Sequence, residues 1–116
     1  MINLDGKIFK SVSNSENGEV SEETRFHYQQ KDKIIWATYE GGQIKFGTLS
    51  GEINEEENSL EFQYQHQNIN GEFLSGYCTS YLIESENEGL CFEEHWKWTC
   101  RDFSSGTSTI QEVVGE

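Results

Sequence analysis

The chain has 116 residues, of which 34% are hydrophobic and 13% aromatic, and its 21 acidic against 8 basic side chains leave a formal charge of -13. That length suits one domain, 1–116, in which bulky rings supply the buried area that scarce aliphatics do not. The acidity argues against nucleic-acid and membrane-surface partners, because phosphates are bound by Lys/Arg faces.

Cys78, Cys91 and Cys100 are odd in number and none is spaced as C-x-x-C, which fits reduced thiols in a cytoplasmic protein. Met1 to Gly6 has no apolar leader pattern, and no apolar run approaches membrane-spanning length.

In chain order, Gly6 to Ser13 reads as a first strand whose alternation does not reveal which face is apolar. The polar stretch Asn14 to Glu19, which contains an Asn-Gly turn signal, is expected to be a long loop across one mouth of the fold. A hairpin about Lys31-Asp32 pairs Tyr28 with Ile35 and Phe26 with Ala37. A second about Gly41-Gly42 sets Tyr39 against Ile44 and Ala37 against Phe46. Both place Phe26, Tyr28, Ile35, Ala37, Tyr39, Ile44 and Phe46 on one inner face and leave Trp36 outside. Parity then changes at Leu49 and Ile53, and a bulge is expected at Gly47–Gly51.

Leu60, Phe62, Tyr64 and His66 alternate cleanly with polar residues. A four-residue loop at Asn68 to Gly71 pairs His66 with Phe73, and carries Ser75, Tyr77, Thr79, Tyr81 and Ile83 inward. After Ser85 to Glu88 comes the most unusual strand, with Leu90, Phe92, Glu94, Trp96 and Trp98 on its inner face. Two tryptophans and a carboxylate suit a cavity wall better than a plain aliphatic core. A last strand runs from about Thr107 to Val114. Eight strands joined by short turns, with no amphipathic helix, close most naturally as an all-β, antiparallel up-and-down barrel of the lipocalin-like or calycin-like kind.

The inner-face inventory of polar and aromatic side chains is Tyr28, Tyr39, Tyr64, His66, Ser75, Tyr77, Thr79, Glu94, Trp96 and Trp98. Rings with a few convergent polar groups make a small-molecule site; the alternative is a narrow lumen that these side chains fill. Burying Glu94 without a partner is costly, and a tyrosine hydroxyl, Arg25, Lys10 or a ligand is expected to meet it. Inferred registers put Glu94 level with Leu60, and six residues at ~3.3 Å rise separate it from His66 by roughly 20 Å, against an acid/base dyad. His27 and His95 point outward without metal-like spacing, and no phosphate loop, dinucleotide fingerprint or nucleophile elbow is present. No metal or cofactor is expected.

The blocks Trp36-Ala37-Thr38-Tyr39, Tyr64-Gln65-His66-Gln67-Asn68, Asn70-Gly71-Glu72 and Glu94-His95-Trp96-Lys97-Trp98-Thr99 resemble those of a family of short bacterial proteins often labelled N-acetylglutamate synthase. The resemblance spans nearly the whole chain and implies a lipocalin-like β-barrel, and by the label acetyl transfer. The usual acetyltransferase fold holds the acetyl-CoA pyrophosphate with a Gly-rich turn entering a helix, a pattern this chain lacks. The expected function is therefore binding of a small hydrophobic or aromatic ligand by Tyr28, Tyr39, Tyr64, His66, Tyr77, Glu94, Trp96 and Trp98. The alternatives are an enzyme using Glu94 or His66 as acid/base, and an interaction module, including a homodimer, built on the outer Trp36.

Overall fold

The computed structural model describes residues 2–86 and 88–114. Eight strands, β1 (Ile8–Asn14), β2 (Arg25–Lys31), β3 (Ile34–Gly41), β4 (Ile44–Asn54), β5 (Ser59–Asn68), β6 (Phe73–Ile83), β7 (Cys91–Trp98) and β8 (Ser105–Glu112), pair in chain order. Every neighbour is antiparallel, and β1 pairs β8, so the barrel is closed and no edge is left open. No helix is long and apolar enough to cross a membrane among the described residues.

Alternation sorts the side chains as expected on β2, β3, β5 and β7: Phe26, Tyr28, Ile35, Ala37, Tyr39, Leu60, Phe62, Tyr64, His66, Phe92, Glu94, Trp96 and Trp98 are all buried. The ambiguity in β1 resolves with Phe9 and Ser11 inward and Ile8 and Val12 outward. The end opposite the 15–24 loop is closed by Ile2 and Leu4, held by backbone contacts to Gln30 and by Gly6 donating to the Tyr28 carbonyl.

Where register differs from expectation, the turns explain it. The β2–β3 turn is Asp32-Lys33, with Asp32 in the left-handed region (φ 54°), and Tyr28 pairs Ala37. Moving the turn by one residue moves the pairing by two, so the inner face is kept. In β4 the bulge lies between Ile44 and Phe46, ahead of Gly47. It turns Phe46 outward, 54% exposed, and brings Gly47 opposite Tyr39.

The β5–β6 turn spans five residues, Asn68 to Glu72, so His66 pairs Leu74. Asn68 Oδ1 accepts from the backbone N–H groups of Asn70 and Glu72, which fixes that length. This single-residue difference inverts β6: Leu74, Gly76, Cys78 and Ser80 face inward, while Ser75, Tyr77, Thr79, Tyr81 and Ile83 face out. Cys78, expected outside, is buried in the lumen wall. The turn at Ser85 to Glu88 is expected to set Tyr77 against Trp96; Cys78 stands there instead, and the two one-residue shifts cancel so that β7 keeps its expected face.

Small inward residues make room for large ones. Gly47, Gly76 and Gly106 stand directly opposite Tyr39, Tyr64 and Trp96. A Cβ on any of them would lie within 2.4 Å of the facing ring or its hydroxyl.

Candidate functional site

The rings of β2, β3, β5 and β7 meet at the mouth where the 15–24 loop crosses. Centroid distances of 5.1 Å (Phe26–Tyr39), 5.6 Å (Tyr39–His66), 5.8 Å (His66–Trp98) and 5.6 Å (Trp98–Trp96) form one continuous chain, with Tyr64 5.8 Å from Trp98. Beneath the loop lies a cavity of about 50 Å³, lined by Tyr39, Tyr64, His66, Glu94, Trp96 and Trp98 together with Phe26, Leu49, Phe62, Cys78 and Ser108. Asn14, Gly18, Glu19 and Val20 roof it. Tyr28 is buried in the core but outside this lining, and Tyr77, half exposed on the outer face, takes no part.

The roof is fastened at several points. Trp98 Nε1 donates to the Asn17 carbonyl at 3.1 Å, and Asn17 Nδ2 donates to Ser104 Oγ and the Ser105 carbonyl. Ser15 exchanges bonds with Thr107. Glu19 reaches deepest, accepting from His66 Nε2 at 2.7 Å and Asn68 Nδ2 at 3.0 Å, with Arg101 3.6 Å away.

Both nitrogens of His66 are committed. Burial holds its pKa below the ordinary histidine value, outweighing the Glu19 carboxylate, which pulls the other way. Tyr39, whose pKa burial raises well above normal, stays a phenol and donates to Nδ1 at 2.9 Å. The imidazole is thus the neutral Nε2–H tautomer, and its contact with Glu19 is a charge-assisted hydrogen bond. Glu94 is level with Leu60 through Ser80, as the registers imply, and makes no bond to His66. Its partners are Ser80 Oγ (3.0 Å) and Ser108 Oγ (3.1 Å), with neither Arg25 nor Lys10 among them. Burial raises its pKa above 4.5, opposed by the two serine hydroxyls and Cys78.

Among the described residues four buried polar side-chain atoms lack partners: Asn14 Oδ1 and Trp96 Nε1 in the cavity lining, and Tyr28 Oη and Ser59 Oγ outside it. Orphans of this kind cost about 1–3 kcal/mol each and are tolerated where water or a ligand completes them. Ser80, Ser108 and Cys78 escape a reading by hydrophobic pattern because they are small and polar. The signal for them was the need to seat Glu94.

An avidin-like protein family model matches residues 2–113. The chain belongs to the avidin-like family. Its closed barrel is the calycin-type architecture of that family, and the N-acetylglutamate synthase label gains no support from the match. No curated protein and no solved structure gives a significant match to this avidin-like chain. Among the described residues no cluster of three or more His, Cys, Asp or Glu could hold a metal ion.

Proposed function

We propose that this avidin-like barrel binds a small molecule in its lumen, between the Trp96–Trp98 pair and the roof residues Gly18 to Val20. The observation that carries the reading is the coincidence, around one cavity, of seven aromatic or imidazole rings with buried polar atoms that have no partner. A barrel that merely filled its lumen would have no reason to keep Trp96 Nε1 and Asn14 Oδ1 unpaired. The family binds small ligands such as biotin, which makes biotin the first compound to try. The cavity of about 50 Å³ holds only about three to five waters at ~10–15 Å³ each, so a ligand of biotin's size enters only if the roof lifts.

The test is native mass spectrometry of protein purified without added ligand, followed by titration of biotin and a small-molecule panel against tryptophan fluorescence. A co-purifying compound released on unfolding, or saturable quenching with a raised Tm, supports the reading. A clean mass and no response across the panel count against it.

A second reading concerns the outer face. Trp36 is 41% exposed, and across Ser50 and Gln63 the same row reaches Tyr77 on β6. Exposed aromatics on one row suit a partner surface, and a second copy of this chain is the partner proposed.

A further inference from the structure

Glu94 lies deeper than any other acid in the lumen wall. It is 6% exposed and accepts from Ser80 Oγ, Ser108 Oγ and, at 3.9 Å, Cys78 Sγ. None of the ion pairs among the described residues involves it. Two hydroxyl donors stabilise the carboxylate, because a carboxylate only accepts, while burial works against it. Neutral hydroxyls do not balance a unit charge, and a buried charge without a counter-charge is expensive to keep.

The surroundings select for the sign of what would balance it. Trp96, Trp98, Tyr64 and Phe62 line the same cavity, and ring faces attract cations. At the mouth stand Glu16, Glu19 and Asp102. Arg101, the one cation there among the described residues, is already shared between Glu19 at 3.6 Å and Glu72 at 3.0 Å. With a net charge of -13, the field favours positive solutes and disfavours anions.

We propose that the lumen takes a small organic cation, a protonated amine whose ammonium group pairs with the Glu94 carboxylate while its apolar part lies against Trp96 and Trp98. The assignment rests on the lumen being a binding site and names the chemical class of its ligand. An ammonium group offers up to three N–H donors, enough for Glu94 and for the orphan acceptor Asn14 Oδ1. The orphan donor Trp96 Nε1 calls for an oxygen acceptor elsewhere on the natural ligand. The small cavity favours amines of a few heavy atoms.

The test titrates isobutylammonium and its neutral counterpart isobutanol at pH 7.5, reading the indole N–H resonances of Trp96 and Trp98 with that of the outer Trp36 as control. Isobutylammonium is expected to bind at least tenfold more tightly than isobutanol, and Glu94→Gln to narrow the gap to within about twofold. Equal affinity for the two, or a preference that survives Glu94→Gln, overturns the cation assignment and leaves the pocket standing. If neither compound moves Trp96 or Trp98, both the assignment and the pocket fall. Should Glu94→Gln fail to fold, nuclear Overhauser contacts between the ammonium-bearing methylene and the Glu94 side chain of the native protein decide: their presence supports the assignment, and a bound amine without them overturns it.

Discussion

Glu19 Oε1 lies 2.7 Å from His66 Nε2, joining a roof residue to a residue of the barrel wall 47 positions away. The other carboxylate oxygen of Glu19 accepts a hydrogen bond from Asn68 Nδ2, and the Asn68 side chain is fully used: two donations, to Glu19 and Glu72, and two acceptances from the β5–β6 turn. The side chain that sets the length of that turn, and so the face of β6, also holds the roof down. Shape of the wall and closure of the mouth share one network.

Glu19→Ala should therefore open the mouth. It strips the partner from His66 Nε2–H and leaves Asn68 with one fewer acceptor, a loss of about 1–3 kcal/mol for buried donors left unmade. Hydrogen exchange should quicken across 15–24 with little change in β5 to β7. Unchanged protection of that loop would show that Asn17 and Ser15 suffice to hold it.

Gly47→Ala should damage the site from behind. The new Cβ would meet Tyr39 Cζ at 2.4 Å and His66 Cβ at 2.8 Å, and overpacking of this kind costs about 1–3 kcal/mol. Pairing it with Tyr39→Leu should recover part of the loss, because both changes act on one space. Strict additivity in chemical denaturation would place the strain elsewhere.

The pH dependence contributed by Glu94 has a definite sign. Its folded pKa is raised above 4.5, so between those two values the folded state holds the proton more often than the unfolded one. Stability from this group is complete below pH 4.5 and is lost as pH rises through the folded pKa. Glu94→Gln should accordingly be more stable than the native chain at neutral pH, the difference shrinking towards zero below pH 4.5. Urea melts of both proteins across pH 4 to 8 measure it; a difference that does not vary with pH would mean the carboxylate titrates alike folded and unfolded.

On the outer face, Trp36→Ser should leave the fold intact, since the side chain is 41% exposed, and should lower the mass seen by light scattering if two copies meet there. An identical monomer mass for both proteins, at concentrations up to the millimolar range, removes that surface from consideration.

The barrel itself was legible because a period-two pattern with short turns leaves few closures, and the inner faces of β2, β3, β5 and β7 followed from it. The cavity lining was legible where one of those strands carried it: Tyr39, Tyr64, His66, Glu94, Trp96 and Trp98 all line the cavity. Tyr77 was misplaced because parity is propagated through a turn whose length depends on a side chain. Asn68 bonding to Asn70 and Glu72 adds one residue to that loop, and one residue exchanges inside for outside along all of β6. Phe46 was misplaced for a related reason, since a bulge can sit on either side of a glycine in the pattern.

By itself, the sequence determined a closed antiparallel barrel with an aromatic interior and one inward carboxylate on its most aromatic strand, because alternation and turn spacing are local properties of the chain. Only the tertiary structure decided that Ser80, Cys78 and Ser108 surround that carboxylate, that His66 is held neutral between Tyr39 and Glu19, and that Glu19 is the residue by which the loop before β2 is fastened to the wall. Those contacts join residues 14 to 47 positions apart. They exist because barrel closure brings distant strands within hydrogen-bonding reach, a distance that no local pattern encodes.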